Sequence, residues 1–188
     1  GGMKQIPVKE CIWHTQLHDH AFLKNRILGE IEIAPDQRFE EFGKSISKTD
    51  WNRSQTTTRP WVNSFKESFM ISVKEIVKDM LYADIQIRDI WYQQYTKGDQ
   101  HHWHIHAQHF TGVYYLEFPE GSPKTKVVQP VTKDIIEVDA VEGDLIIFPA
   151  HWIHSSGIPM GEGRKTIVSF NFDMDEPTRD SIYSKLPK

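Results

Sequence analysis

The chain has 188 residues, 38% hydrophobic, 26% charged and 12% aromatic, which is enough for one domain whose core needs no covalent staples. A net charge of −4 offers no basic stripe, so no nucleic-acid partner is expected, and no apolar run approaches the ~18 residues of a membrane span. The single cysteine, Cys11, excludes an internal disulfide and a cysteine-rich zinc site. With no signal-peptide pattern in MKQIPVKECIWHTQLHD, this leads to the expectation of a reducing, cytoplasmic setting.

In chain order, residues 4–82 read as a helical N-terminal support. Phe22, Leu23, Ile27 and Leu28 have helical spacing within 17–28, and Gly29 marks an end. KSISKTDWNRSQTTTRPW (44–61) has no period and reads as a polar loop. Trp51, Arg53 and Arg59 within it are candidate substrate contacts. Ser64 and Glu67 have capping-box spacing ahead of an apolar stripe, Phe65, Phe69, Val73, Ile76, Val77 and Met80, which reads as core packing.

After Tyr82 the chain turns to short β-type runs: IQIRDIWYQQY (85–95), HWHIH (102–106), GVYYLEF (112–118), KVVQPV (126–131), IIEV (135–138), DLIIF (144–148) and KTIVSFNF (165–172). Turn signals such as PEGSP and VEGD separate several of them. Helices followed by about seven strands predict a helix-buttressed β-sandwich or barrel over 85–173, with a tail at 174–188.

Five of the ten histidines fall in GDQHHWHIHAQH (98–109). On a strand, His102, His104 and His106 would share one face, since side chains alternate. Two histidines at i and i+2 can grip a metal from one side. GDLIIFPAHWIH (143–154) then delivers His151 and His154 at the end of an apolar strand, where a third ligand can arrive. Imidazole ligands suit Zn, Cu, Fe or Ni, so ligand type alone does not select the ion. Stacked surface histidines and a pH-sensing cluster are the competing readings.

These residues resemble the prolyl 4-hydroxylase-like branch of the Fe(II)/2-oxoglutarate oxygenases. Tyr95, Gly98 and His104 follow that family's Tyr-x-x-Gly, five residues, His-x-Asp pattern. TGVYYLEFPEG (111–121) is similar to its next strand, and GDLIIFPAHWIH ends at its second metal histidine. Arg164 stands ten residues after His154 in an Arg-x-Ser/Thr pattern with Thr166. The run GVYYL, GDLIIFP, His, Arg, SFN also resembles 2-oxoglutarate oxygenases of marine bacteria and phages. GDLIIFPAHWIH is similar to the JmjC-type oxygenases too, but those use a lysine on an inner strand where Arg164 fits the hydroxylase-like arrangement.

The resemblance implies a double-stranded β-helix (jelly-roll, cupin-like) fold. It implies Fe(II) held by His104, His106 and His154, with 2-oxoglutarate as cosubstrate bound by Arg164, helped by Tyr115, Thr166 and Tyr95. O2 would take the open site, succinate and CO2 would leave, and a peptide or small molecule would be hydroxylated. No catalytic group beyond the metal centre is implied. One departure stands out: the family's Asp is His106 here. A carboxylate from Asp99 or Glu117, or a His102–His104 pair, remain alternatives. So do a cupin-type three-histidine enzyme that does not use 2-oxoglutarate and a non-catalytic metal-binding module.

Overall fold

The computed structural model describes residues 2–56, 58–78, 80 and 84–187. The expected end of the N-terminal unit at residue 82 lies outside them. Two long strands form the spine, β4 (Ile85–Tyr95) and β11 (Lys165–Met174). They pair antiparallel from Tyr95↔Lys165 to Ile85↔Met174, with a shift of register between Asn171 and Phe172. On its other edge β11 pairs with β6 (Phe110–Glu117), β6 with β9 (Asp144–Pro149), and β9 with β1 (Trp13–Gln16). On the far side β4 pairs with β3 (Lys44–Thr49), which also pairs with β2 (Gln37–Glu41) and β5 (Gln100–His101). Among the described residues this makes one eight-stranded sheet; a second sheet has the order β10 (His154–Ser155), β7 (Lys126–Val128), β8 (Ile135–Glu137).

Alternation along the strands decides what each face packs on. Tyr92, Tyr114, Leu116, Leu145, Ile147, Val168, Phe170 and Phe172 face α1 (His20–Ile33) and α2 (Pro60–Val77) in one core. There Phe65 stacks on Tyr114 at 5.2 Å and Phe69 meets Phe170 edge-on at 4.6 Å. The opposite residues, Tyr95, Val113, Tyr115, Ile146, Phe148 and Ile167, pack with Val127 of the small sheet and Val138 just beyond it in a second core. Helices, large sheet and small sheet thus form three layers, a double-stranded β-helix buttressed by N-terminal helices. The strands of β4 and β11 run too long and too buried for any other layer to be the centre.

Several local expectations change. α1 continues through Gly29 to Ile33, because Leu23, Ile27 and Ile31 keep one buried stripe that outweighs the glycine. α2 begins at Pro60, the first helical position a proline favours, so Ser64 does not cap it; its hydroxyl donates to Glu30 at 2.8 Å. The expected loop at 44–61 contains β3, a 3-10 turn at Trp51–Arg53 and the start of α2. Ile46 and Thr49 are buried there, and the polar residues around them hid the strand. The expected strand at 102–106 reduces to the reciprocal backbone pair between His104 and His154 (3.0 and 3.1 Å). The tail carries α3 (Arg179–Lys185), with Thr178 accepting from the Ser181 N–H. Among the described residues no helix is long and apolar enough to cross a membrane.

Candidate metal centre

The site is built where the two sheets meet. Gly98 takes φ +86° in the turn that leaves β4, a conformation only glycine adopts without cost. Asp99 closes that turn by accepting from Thr96 N–H and hydroxyl, at 2.9 and 3.1 Å. β5 then carries the chain to His104, whose backbone pair with His154 ties the two histidine segments together. The ligand nitrogens of His104, His106 and His154 all lie within 4.8 Å of one another.

Two of the rings are oriented by backbone. Nδ1 of His104 is 2.5 Å from the His102 carbonyl, and Nδ1 of His154 is 2.7 Å from the Trp152 carbonyl. With those Nδ1–H groups donating, each Nε2 presents a lone pair to the cluster. His106 is placed differently: its Nδ1 lies 3.5 Å from the Asn171 amide. His101 stacks on His104 at 3.5 Å, nearly parallel, and fixes its plane. Burial, reinforced by the neighbouring imidazoles, pushes His104 down to about 3 and His106 to about 2; burial alone pushes His154 to about 4. The rings are therefore neutral at ordinary pH, the state a metal ligand requires.

Among the described residues no carboxylate joins this cluster. Asp99 is engaged by Arg38, Ser45 and Thr96, and Glu117 by Arg164 and Thr166. Neither is free to supply the missing ligand. His102 points outward and is exposed, as is His151.

An inner cavity runs from the histidines between the sheets, lined by Trp91, Gln93, Tyr95, Thr125, Ser156 and Ile167 among others. The Tyr115 hydroxyl and the Thr125 hydroxyl lie 2.6 Å apart beside it. Behind its wall, next to the lining residues Tyr95 and Ser156, lies a charged residue that sequence reasoning did not single out. Lys165 is 2% exposed, donates to the Ser156 carbonyl at 3.0 Å and lies 4.9 Å from the Tyr95 ring centre. Burial pushes its ammonium down to about 7. Arg164 and Thr166 sit on the other face of β11: the guanidinium pairs with Glu117 at 2.8 Å, and Thr166 bonds Glu117 and Gln94. The structure does not bring Arg164 to the histidines. Strand parity was the available signal, since Lys165 shares its face with Ile167 and Ser169, both of which line the cavity.

Outside the histidines a second, open cleft of about 600 Å³ shares Trp91 and His106 with the inner cavity. Trp51 and Arg53, two of the three candidate substrate contacts, line it. Arg59 does not. It is buried, bonded to Asp50 and to the Ile90 carbonyl, and anchors the loop from beneath.

No family model and no curated protein sequence matches the chain. Solved structures do. A viral collagen prolyl hydroxylase from Paramecium bursaria Chlorella virus-1, in complex with 2-oxoglutarate, is 15% identical over 86% of this chain and 94% of its own, with a TM-score of 0.59. A Pseudomonas putida prolyl-4-hydroxylase is 13% identical over 86% and 92%, at 0.64. A 2OG-Fe(II) oxygenase family oxidoreductase from Burkholderia pseudomallei is 11% identical over 86% and 84%, at 0.66. The chain has the fold of the Fe(II)/2-oxoglutarate oxygenases.

Proposed function

We propose that the protein is an Fe(II)- and 2-oxoglutarate-dependent oxygenase, of the hydroxylase type, with His104, His106 and His154 as the iron ligands. One observation carries this reading: a neutral three-histidine cluster opens onto an inner cavity, and behind that cavity's wall a buried lysine with no acidic partner among the described residues donates to the carbonyl of the lining residue Ser156. Bound iron and 2-oxoglutarate would supply the activation of O2, with succinate and CO2 as the cosubstrate's products.

The chain's own residues bind, orient and exclude water. The His102 and Trp152 carbonyls hold two imidazoles in one tautomer. Three neutral ligands leave the ion's charge uncompensated, which favours a dianionic cosubstrate. Lys165 takes the role the spacing suggested for Arg164, pairing with the far carboxylate of 2-oxoglutarate, a group a buried ammonium needs. Tyr95 and the Tyr115–Thr125 pair border the same path. Trp91, Val113 and Ile167 make its walls apolar and keep water from the reacting centre.

The missing carboxylate favours a second reading, a cupin-type three-histidine metal protein that does not use 2-oxoglutarate, with or without catalysis. Anaerobic titration of 2-oxoglutarate into the Fe(II)-loaded protein decides between them. A visible charge-transfer band is expected, and its absence with iron bound would leave the second reading.

A further inference from the structure

The outer cleft has a chemical bias of its own. Asp89 lines it and is held by two neutral donors, Asn171 Nδ2 at 3.1 Å and the Ser54 hydroxyl at 3.4 Å. No cation pairs with Asp89 among the described residues. The arginines on the neighbouring segments are engaged elsewhere: Arg53 with Asp36 at 2.5 Å, and Arg88, beside the register shift in β4, with Asp173 at 2.9 Å. Lys44 lies over the Trp51 ring at 4.0 Å and does not line the cleft.

Asn171, also in the cleft wall and 4% exposed, spends its amide N–H groups on Asp89 and faces His106; its Oδ1 is buried without a hydrogen-bond partner. An unpaired buried acceptor next to an unneutralised carboxylate is a costly arrangement unless something with several N–H groups fills it. An ammonium or guanidinium does so. Because the Asn171 amide links Asp89 to His106, a group held there sits at the metal centre's edge.

Resting on the oxygenase reading, we propose that the cleft receives a substrate bearing a cationic ammonium or guanidinium group, read by Asp89 and the Asn171 carbonyl. The cation can belong to a free amino acid or to a basic side chain in a peptide.

The test is calorimetric titration of the full chain with L-arginine and with the tripeptide Gly-Arg-Gly, each against its citrulline counterpart, which keeps the shape and removes the charge. At least one arginine probe is expected to bind ten-fold or more tightly than its citrulline partner, and which one does so identifies the source. Asp89→Asn is expected to erase the preference and Asp89→Glu to retain most of it, both checked for folding by thermal unfolding. Equal binding of arginine and citrulline, a preference that survives in Asp89→Asn, or no binding of any probe overturns the proposal. The wild-type iron–2-oxoglutarate band is recorded on the same sample. A band without arginine preference rejects the cationic substrate alone; a preference without the band rejects the oxygenase reading alone.

Discussion

Lys165 donates to the Ser156 carbonyl at 3.0 Å inside the barrel, while the guanidinium of its chain neighbour Arg164 reaches Glu117 at 2.8 Å on the opposite face of β11. The two residues make separable claims on 2-oxoglutarate. A charge-assisted bond in a dry site contributes about 1.5–3 kcal/mol, so Lys165→Ala should weaken cosubstrate binding about 10- to 100-fold. Arg164→Ala removes a half-exposed pair and should change it less than about threefold. Titration of the charge-transfer band in both variants reads this, and the reverse pattern would return the anchor to Arg164.

The depressed ammonium gives that anchor a pH signature. With Lys165 at about 7, the group is charged below neutrality and an amine above it. Binding a carboxylate above pH 7 then requires proton uptake, so affinity should fall by about tenfold per pH unit on the alkaline side. Stability moves the other way. Between about 7 and lysine's ordinary value of 10.5 the unfolded chain holds the proton and the folded one does not, so ligand-free protein gains up to about 1.4 kcal/mol per pH unit as pH rises. Denaturant unfolding at pH 7 and 9 should show this rise in wild type and lose it in Lys165→Met.

The metal cluster responds at lower pH. Its most basic ring, His154, sits at about 4, so protons do not compete for the ligand nitrogens above pH 5 and iron affinity should be flat from there to 8. The metal-free fold behaves differently. As pH falls below the ordinary imidazole value of 6.5, the unfolded histidines take protons that the buried ones refuse, so stability is lost toward acid. Replacing any of the three by alanine should weaken iron more than ~100-fold, beyond the usual cost of losing an outer-shell partner. His106→Asp should keep the iron and lower 2-oxoglutarate affinity, since it adds one negative charge beside a dianion; iron titration and the visible band check both. Unchanged behaviour in His106→Asp would remove His106 from the ligand set.

How much of this was legible depended on periodicity. β4 was readable to the residue because IQIRDIWYQQY is bounded by turn residues, and β11 because its aromatic alternation is unbroken. The histidine constellation was readable because it combines a short-range pair with one distant partner. Counting along the chain does not give facing. Arg164 has the right distance along the chain from His154, but a strand reverses its side chain at every step, and here the Arg164 guanidinium pairs with Glu117 while the next side chain, Lys165, is the buried one. β3 was invisible because KSISKT has few apolar residues, and its burial comes from its pairing between β4 and β2, which only the fold supplies. Asp89 and Asn171 meet across a strand pair of high sequence separation, and nothing local marks them.

Asp50 supports the loop that forms the cleft. It is fully buried, pairs with Arg59, and accepts from Trp61 Nε1 at 2.8 Å and the Tyr92 N–H at 3.0 Å. Asp50→Ala would leave a buried guanidinium without its counter-charge, a loss of about 3–5 kcal/mol. Urea unfolding should place the variant in that range. A cost under 1 kcal/mol would mean that water reaches Arg59 and that the loop is not fastened from below.

Gly112 and Gly29 test opposite consequences of the same substitution. At Gly112, in β6, an added Cβ would lie 2.2 Å from the Phe170 ring and 2.8 Å from the Ile146 carbonyl oxygen. Neither neighbour can retreat: Phe170 is wedged against Phe69, and the carbonyl belongs to β9. Gly112→Ala should therefore cost about 1–3 kcal/mol, a fall in Tm of roughly 2–4 °C per kcal/mol for a chain of this size. Gly29 sits exposed in the interior of α1 with nothing within 4 Å, so Gly29→Ala should stabilise by up to about 1 kcal/mol through helix propensity and a less mobile unfolded chain. Calorimetric Tm values moving in opposite directions would confirm that the β6–β11 contact is as close as described and that α1 runs through Gly29. A neutral Gly112→Ala would require the large sheet to pack more loosely on α2.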